Sequence, residues 1–120
     1  MKEQEVERSE ELVQAAMTAV READEAAMER TFVDVAQLPV DEMVATVCMA
    51  VEDQVRGRDI DALLAAATIP LPEDPQRLIV SVWKSDFEDL AAYANDNLAE
   101  LLGALIVLAA SLQEAGERVE

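Results

Sequence analysis

Residues 98–112 read LAELLGALIVLAASL, and this stretch decides the fold. After Glu100 it carries no charged residue until Glu114, so a helix formed by it is apolar on every side. Such a helix has to be covered on every side, because water would otherwise contact a continuous apolar surface. In a chain of 120 residues, either the other segments or a second copy of the chain must provide this cover.

The apolar residues before and within this stretch follow one helical period, with a step of about 3.7 residues. This period predicts a final helix from Pro75 to about Ala115, roughly 60 Å long if it is unbroken. The sequence Ser85-Asp-Phe-Glu88 is typical of a capping box and offers the alternative of a break or kink. The stripe consists of Ile79, Trp83, Phe87, Leu90, Ala94, Leu98, Leu101, Leu105, Leu108 and Leu112.

A helix of that length is longer than a compact single domain of this size, whose radius of gyration is about 14 Å. We therefore predict an all-α fold, a bundle of about four helices with long first and last helices, completed by homodimerisation. The candidate core or dimer seam consists of Val13, Val20, Leu98, Leu101, Leu105, Leu108 and Leu112.

The preceding segments have helical patterns as well, and the whole chain, 1–120, is interpreted as one domain. The first helix is predicted from an N-cap at Ser9 to just before Pro39, with residues 1–8 frayed. It contains a spacing of seven through Val6, Val13, Val20 and Ala27.

Three further signals divide the middle of the chain. A second helix is predicted to begin at an N-cap formed by Asp41 and to stop near Gly57. A short third helix is predicted to start at Asp59. Residues 68–75 contain three of the four prolines and predict an extended connector, after which Asp74-Pro75 is typical of a helix start.

The net charge of −17 comes from 26 acidic and nine basic residues spread along the chain. Binding to a nucleic-acid backbone needs clustered lysine and arginine, so no direct nucleic-acid binding is predicted. Binding to an anionic membrane surface is disfavoured for the same reason. A protein partner, and a basic one in particular, is compatible with this charge, which also serves solubility.

The sequence favours a cytoplasmic location. Its N-terminus is charged and lacks the apolar core of a signal peptide. The longest uncharged run, 101–113, is shorter than the about 20 residues that span a bilayer. The single cysteine, Cys48, cannot form an intrachain disulfide and is interpreted as a small buried apolar residue.

Catalytic motifs are missing from the sequence. With no histidine and one cysteine, zinc and most transition-metal sites are excluded, and no cofactor is predicted. One alternative is a magnesium site, because Glu22-Ala-Asp-Glu25 resembles the first metal-binding element of helical nucleotide pyrophosphohydrolases. That resemblance implies a Glu-x-x-Asp on a facing helix, but Val55 stands three residues after Glu52, so the second element is incomplete.

We therefore predict a small acidic helical protein that acts through protein–protein contacts, as a regulator, adaptor or chaperone-like partner, without catalytic activity. If the last helix is continuous, Asp89, Asp96 and Glu100 share one of its faces. This face is either the solvated back of the helix or a docking surface. In the second case, an alternative function is DNA mimicry, as in inhibitors that phages or mobile elements encode. The candidate partner-binding residues are Trp83, Asp86, Asp89, Tyr93, Asp96 and Glu100.

Trp83 has two interpretations that predict opposite burial. As a member of the apolar stripe it is expected in the core. If the bundle leaves it uncovered, it is expected to anchor an interface, because tryptophan is enriched among the residues that dominate binding energies.

Overall fold

The computed structural model describes the backbone of residues 2–119 and the side chains of residues 8–119. Within residues 2–119 all regular secondary structure is helical and there is no strand, which confirms the all-α prediction. This part of the chain forms seven helices instead of about four. They are α1 (Lys2–Arg21), α2 (Glu25–Ala36), α3 (Val40–Val55), α4 (Ile60–Ala66), α5 (Pro75–Trp83), α6 (Phe87–Tyr93) and α7 (Leu98–Val119).

Helix α7 lies at the centre of the fold and packs against α1, α3, α4 and α6. Its leucines Leu105, Leu108 and Leu112 are completely buried. The prediction that this apolar stretch must be covered is therefore confirmed, and other segments of the same chain contact it. Of the candidate seam residues, Leu98 is partly buried, and the others belong to the buried core: Val13, Val20, Leu101, Leu105, Leu108 and Leu112.

By length and composition alone, α7 could also cross a membrane. In this fold, however, 56% of its most apolar 18-residue window is buried against other helices. A mostly buried apolar helix is the pattern expected for the core of a globular protein.

The polar residues at the end of α7 are tied to neighbouring segments. The guanidinium of Arg21, at the end of α1, donates a hydrogen bond of 3.0 Å to Gln113 and forms an ion pair with Glu117. The hydroxyl of Thr68, in the segment after α4, donates to Glu114. These contacts hold the last turns of α7 to the helices that cover it.

The predicted single first helix is wrong, because the chain reverses between α1 and α2, which pack against each other. The reversal occurs at Ala23, which has a φ of 55°. The carboxylate of Asp24 then caps α2 by accepting a hydrogen bond of 3.1 Å from the amide of Ala27. The apolar pattern continues through this turn because each helix buries its own stripe, so periodicity alone did not reveal the break.

Ser9 is not the N-cap of the first helix, since α1 begins at Lys2. Ser9 is instead completely buried, and its hydroxyl donates a hydrogen bond to Glu42 in the first turn of α3. This contact joins α1 to α3. The predicted fraying at Met1 and the Val6 position of the heptad spacing lie outside the residues whose placement and side chains are described.

Of the two alternatives for the final segment, the unbroken 40-residue helix is wrong and the break near Ser85 is confirmed, because residues 75–119 form the three helices α5, α6 and α7. The first break follows Trp83, where Ser85 has a φ of 55°, and Asp86 rather than Ser85 caps α6. The second break is at Asn95 and Asp96, with φ values of 53° and 61°.

Because these breaks fold the chain back on itself, the described residues measure only 37 × 31 × 26 Å. The radius of gyration is 13.4 Å. The length argument for a homodimer therefore no longer applies, since no rod of roughly 60 Å is formed.

Several local signals were predicted correctly. Gly57, with a φ of 71°, follows the end of α3, and Asp59 caps α4 by accepting from the amides of Asp61 and Ala62. Helix α5 begins at Pro75, although Asp74 makes no side-chain capping hydrogen bond. The predicted N-cap at Asp41 is wrong, because the N-cap of α3 is Pro39 and Asp41 lies inside the first turn of the helix.

Two substitutions in α7 are expected to change stability in opposite directions. A Cβ at Gly103 would lie 3.8 Å from Cε2 of Phe32, an ordinary van der Waals distance. Gly103→Ala is therefore expected to raise the free energy of unfolding by roughly 0.5–1 kcal/mol, because alanine is the better helix former. Leu105→Ala removes a completely buried side chain and is expected to lower it by about 2–5 kcal/mol.

Urea denaturation of the wild type and both variants measures these changes. A loss of stability in Gly103→Ala would show that the packing around α7 is tighter than described. An unchanged Leu105→Ala variant would contradict the burial of α7.

Candidate functional site

The most exposed aromatic side chains lie at the junction between α5 and α6. Trp83, the last residue of α5, is 58% exposed, and Phe87, the first residue of α6, is 57% exposed. Val80, one turn before Trp83 on α5, is 46% exposed. We call these three residues the Trp83 patch. The expectation that Trp83 is in the core is wrong, and the structure leaves it available as an interface anchor.

Trp83 is exposed because α5 turns a different face to the core than the predicted stripe. The buried residues of α5 are Leu78, Ile79, Ser81 and Val82. Val82 rather than Trp83 therefore lies one turn after Leu78 on the inner face. After the break at Ser85, helix α6 has an orientation of its own, in which Leu90 is buried and Phe87 is exposed.

Beside Trp83 lies an open groove between α5 and the turn that joins α3 to α4. Its volume is about 400 Å³, within the range of ligand-binding clefts. Its apolar walls come from the end of α3, the start of α4 and the outer side of α5. The lining residues are Val55, Gly57, Arg58, Ile60, Ile79, Val80, Trp83 and Lys84. We call this the α5 groove.

The α5 groove continues towards the beginning of α5, where its character changes. This second part shares Arg58, Ile60, Ile79 and Val80 with the first. Its further lining residues are Asp59, Asp61 and Gln76, and the amide of Gln76 donates a hydrogen bond of 3.0 Å to Asp61. Lys84 therefore lies at one end of the groove and Asp59 and Asp61 at the other, whereas Arg58 lines both parts.

The acidic residues predicted to bind a partner do not lie on one continuous helix. Asp86 caps α6 by accepting a hydrogen bond from the amide of Asp89. Asp96 lies in the turn between α6 and α7, and Glu100 lies in the first turn of α7. Because the chain breaks between Tyr93 and Leu98, the single helical face expected for Asp89, Asp96 and Glu100 does not exist.

Asp89 is the most strongly paired of these residues. Arg77 donates to it through Nη2 at 2.8 Å and through Nε at 3.1 Å, and the hydroxyl of Ser81 donates at 2.5 Å. The hydrogen bonds from Arg77 and Ser81 lower the pKa of Asp89 to about 2. Its charge is thus compensated within the chain by α5.

Tyr93 belongs to the same cluster. Its hydroxyl donates a hydrogen bond to the carbonyl of Glu73, and the guanidinium of Arg77 lies 5.6 Å from the centre of its ring. Burial raises the pKa of Tyr93, and the nearby Glu73 raises it further. Arg77 therefore joins α5 to α6 through both a carboxylate and an aromatic ring.

Cys48 and the pair Glu22 and Glu25 are the residues that the sequence offers for nucleophilic or metal chemistry. Cys48 is buried as expected, and this burial raises the pKa of its thiol to about 11, which opposes thiolate formation. Glu22 and Glu25 lie on either side of the α1–α2 turn, not one turn apart on a single helix. Among the residues whose side chains are described, no group of three or more carboxylate or cysteine side chains could hold a metal ion.

Sequence reasoning identified Trp83 but missed Val80, Phe87 and the α5 groove. The groove is built from residues 20 or more positions apart, Val55 and Ile60 on one side and Val80 and Trp83 on the other. Gly57 predicted the turn that forms one wall of the groove. No local sequence pattern predicted that α5 would lie opposite this turn.

The pairing of Asp89 generates a prediction about acid stability. Asp89→Asn is expected to lower the free energy of unfolding at neutral pH, because Arg77 and Ser81 lose their charged acceptor. The folded pKa of about 2 is below the ordinary value of 3.8. The contribution of Asp89 is therefore present above about pH 4 and is lost as the pH falls towards 2.

Urea denaturation of the wild type and the variant over this pH range tests this expectation, and the difference between them should shrink as the pH falls. Asp96→Asn is the matched control, because it removes the same charge from an exposed residue at positive φ, where asparagine is well tolerated. A stability difference for Asp89→Asn that is independent of pH, or equal to that of the control, would contradict the assignment.

Comparison of the chain with known protein families, with curated proteins and with solved structures finds no match.

Proposed function

We propose that the chain is a non-catalytic protein-interaction protein, a cytoplasmic regulator, adaptor or chaperone-like partner that binds other proteins through the Trp83 patch. The observation that carries this proposal is the exposure of Trp83 and Phe87 beside an apolar groove. The whole chain has only four aromatic side chains, and these two lie mostly in water. Aromatic residues of this kind are enriched in the buried centres of protein interfaces.

Covering Trp83 would contribute substantially to the free energy of binding to a partner. An aromatic side chain buries about 150–250 Å² when it is fully covered. Covering the exposed part of Trp83 therefore removes roughly 100 Å² or more from water, which corresponds to about 3 kcal/mol. In a binding equilibrium this is roughly a hundredfold change in affinity.

The two acidic groups with large pKa shifts, Asp89 and Cys48, support a non-catalytic function. Strongly shifted pKa values often mark catalytic groups. Here the shift of Asp89 has a structural cause in its pairing with Arg77 and Ser81, and the shift of Cys48 follows from burial. Neither group lines the α5 groove.

DNA mimicry has less support than docking at the Trp83 patch. A mimic presents rows of uncompensated carboxylates, whereas Asp89 is neutralised by Arg77 and Asp86 is engaged as a helix cap. A basic protein remains a possible class of partner on account of the net charge of −17.

The homodimer stays a prediction. A second copy now has no long helix to complete, so it would have to use exposed side chains such as those of the Trp83 patch. Sedimentation equilibrium at micromolar concentration distinguishes a 13.1 kDa monomer from a species of twice that mass.

Affinity capture with matched variants tests the proposed function. The wild type, Trp83→Gln and Met49→Gln are immobilised and exposed to an extract of the native cell. Met49 is the control, because it is also 50% exposed but lies on α3, outside the α5 groove. We expect the wild type and Met49→Gln to retain the same partner in stoichiometric amounts and Trp83→Gln to lose it by at least tenfold.

Circular dichroism first verifies that both variants keep the helical content of the wild type. Equal capture by all three proteins would contradict docking at the Trp83 patch.

A further inference from the structure

The turn between α1 and α2 contains a residue that is poorly suited to its backbone conformation. The amide of Ala23 donates a hydrogen bond of 3.1 Å to the carbonyl of Val20, and the amide of Asp24 donates one of 3.1 Å to the carbonyl of Ala19. This pair of hydrogen bonds is the Schellman motif that ends many helices, and it places Ala23 at the position where glycine is preferred. With a φ of 55°, Ala23 has the steric cost that a Cβ brings to left-handed backbone.

Ala23 differs from the other residues that have a positive φ. Within residues 2–119, the other non-glycine residues of this kind are all polar: Asp74, Ser85, Asn95 and Asp96. Short polar side chains stabilise such turns because they form hydrogen bonds with the nearby backbone. Alanine has no polar side-chain atom, and it is the best helix former of all residues. The turn at Ala23 is therefore the one that gains most if the helix continues instead of reversing.

The apolar residues on both sides of the turn are compatible with one uninterrupted helix. Met17 and Val20 of α1 are buried, Val35 of α2 is buried, and Met28 of α2 packs against the core. In a continuous helix, the successive separations of three, eight and seven residues would place these four side chains on one face. A straight helix through Ala23 therefore keeps the amphipathic pattern of the hairpin that it replaces.

We infer that the turn at Ala23 is a hinge through which two copies of the chain exchange α1. In the exchanged dimer, residues 2–36 form one continuous helix, and α1 of each copy packs into the place that it otherwise occupies in its own chain. Such an exchange of identical elements is a low-cost route to a dimer, because it reuses contacts that the monomer already makes. Short hinge turns under strain favour it.

The contacts of α1 with the rest of the fold are conserved in this dimer. Val13, Ala16 and Met17 are fully buried, and α1 packs against α2, α3 and α7. Among the described residues, the turn at Ala23 is the only connection between α1 and these helices. After exchange the same contacts form between copies, and only the turn itself is lost. The release of its strain then opposes the entropic cost of joining two chains.

Protein concentration decides between the two forms. Only Glu22, Ala23 and Asp24 separate α1 from α2, so the effective concentration of α1 at its own chain is high. We expect the monomer to predominate at micromolar concentration and the exchanged dimer to form when the protein refolds at millimolar concentration. Docking of two folded copies would instead need exposed side chains, such as those of the Trp83 patch.

A crosslink between α1 and the end of α2 distinguishes exchange from docking. Arg8 and Gln37 are both exposed and line one cleft, so Arg8→Cys and Gln37→Cys place two thiols within reach of a short bismaleimide. Cys48→Ala removes the native thiol. In a continuous helix, the 29 positions between residues 8 and 37 correspond to about 43 Å, too far for a crosslink within one chain.

The triple variant is refolded at millimolar concentration, and its monomer and dimer are separated by size-exclusion chromatography before crosslinking. Circular dichroism first verifies that its helical content equals that of the wild type. On denaturing electrophoresis we expect a crosslink between two chains in the dimer fraction and a crosslink within one chain in the monomer fraction.

Ala23→Gly tests the hinge itself. Glycine relieves the turn and weakens the continuous helix, so we expect the dissociation constant of the dimer to rise by roughly tenfold or more. Ala45→Gly is the matched control, because it changes an exposed alanine of α3, a helix that both forms contain, and should leave this constant unchanged. Sedimentation equilibrium after refolding at a series of protein concentrations measures the three constants.

Three results would overturn the inference. The first is a protein that stays monomeric after refolding at millimolar concentration. The second is a dimer whose crosslinks lie within single chains, which would indicate docking of folded copies, and Trp83→Gln would then be expected to abolish it. The third is an exchanged dimer whose dissociation constant does not respond to Ala23→Gly. None of these results bears on the capture of a partner at the Trp83 patch.

Discussion

The uncharged surface of α7 has to be removed from water, and the arrangement of the other helices follows from this requirement. A straight rod of three or four turns cannot be covered by one neighbour, so α1, α3, α4 and α6 surround it. Breaks at Ala23, Ser85 and Asn95, none of which is glycine, separate α1 from α2, α5 from α6 and α6 from α7 and let the chain fold back around it. Positive φ at such residues costs free energy that the burial of leucine side chains on α7 offsets.

The same arrangement explains why an aromatic patch is left in water. Helix α5 has one inner face, which Leu78 and Val82 fill, and its outer face is not needed to cover α7. Trp83 and Val80 lie on that outer face beside the wall formed by the α3–α4 turn. The guanidinium of Arg58, from the α3–α4 turn, lies against Gly116 of α7.

The sequence predicts the parts of the fold that depend on single residues or on a local run. The absence of charge in residues 101–113 predicts a buried helix, and Gly57, Asp59 and Pro75 mark helix boundaries correctly. The break at Ala23 could not be predicted, because alanine has no preference for positive φ. The run Asn95-Asp96-Asn97 is typical of a turn, but the apolar stripe keeps its phase across it and concealed the break. Trp83 is exposed because α5 turns Leu78 and Val82, and not Trp83, towards the core. An apolar stripe that assumes one continuous helix cannot indicate this orientation. For the same reason the pairing of Asp89 with Arg77 was not anticipated.

Native-state hydrogen exchange tests most directly whether α7 is covered by its own chain. The amides of residues 101–112 are expected to exchange more slowly than any others, with protection factors that do not change over a hundredfold range of protein concentration. Fast exchange in this stretch, or protection that increases with protein concentration, would show that the cover is missing or that a second copy supplies it.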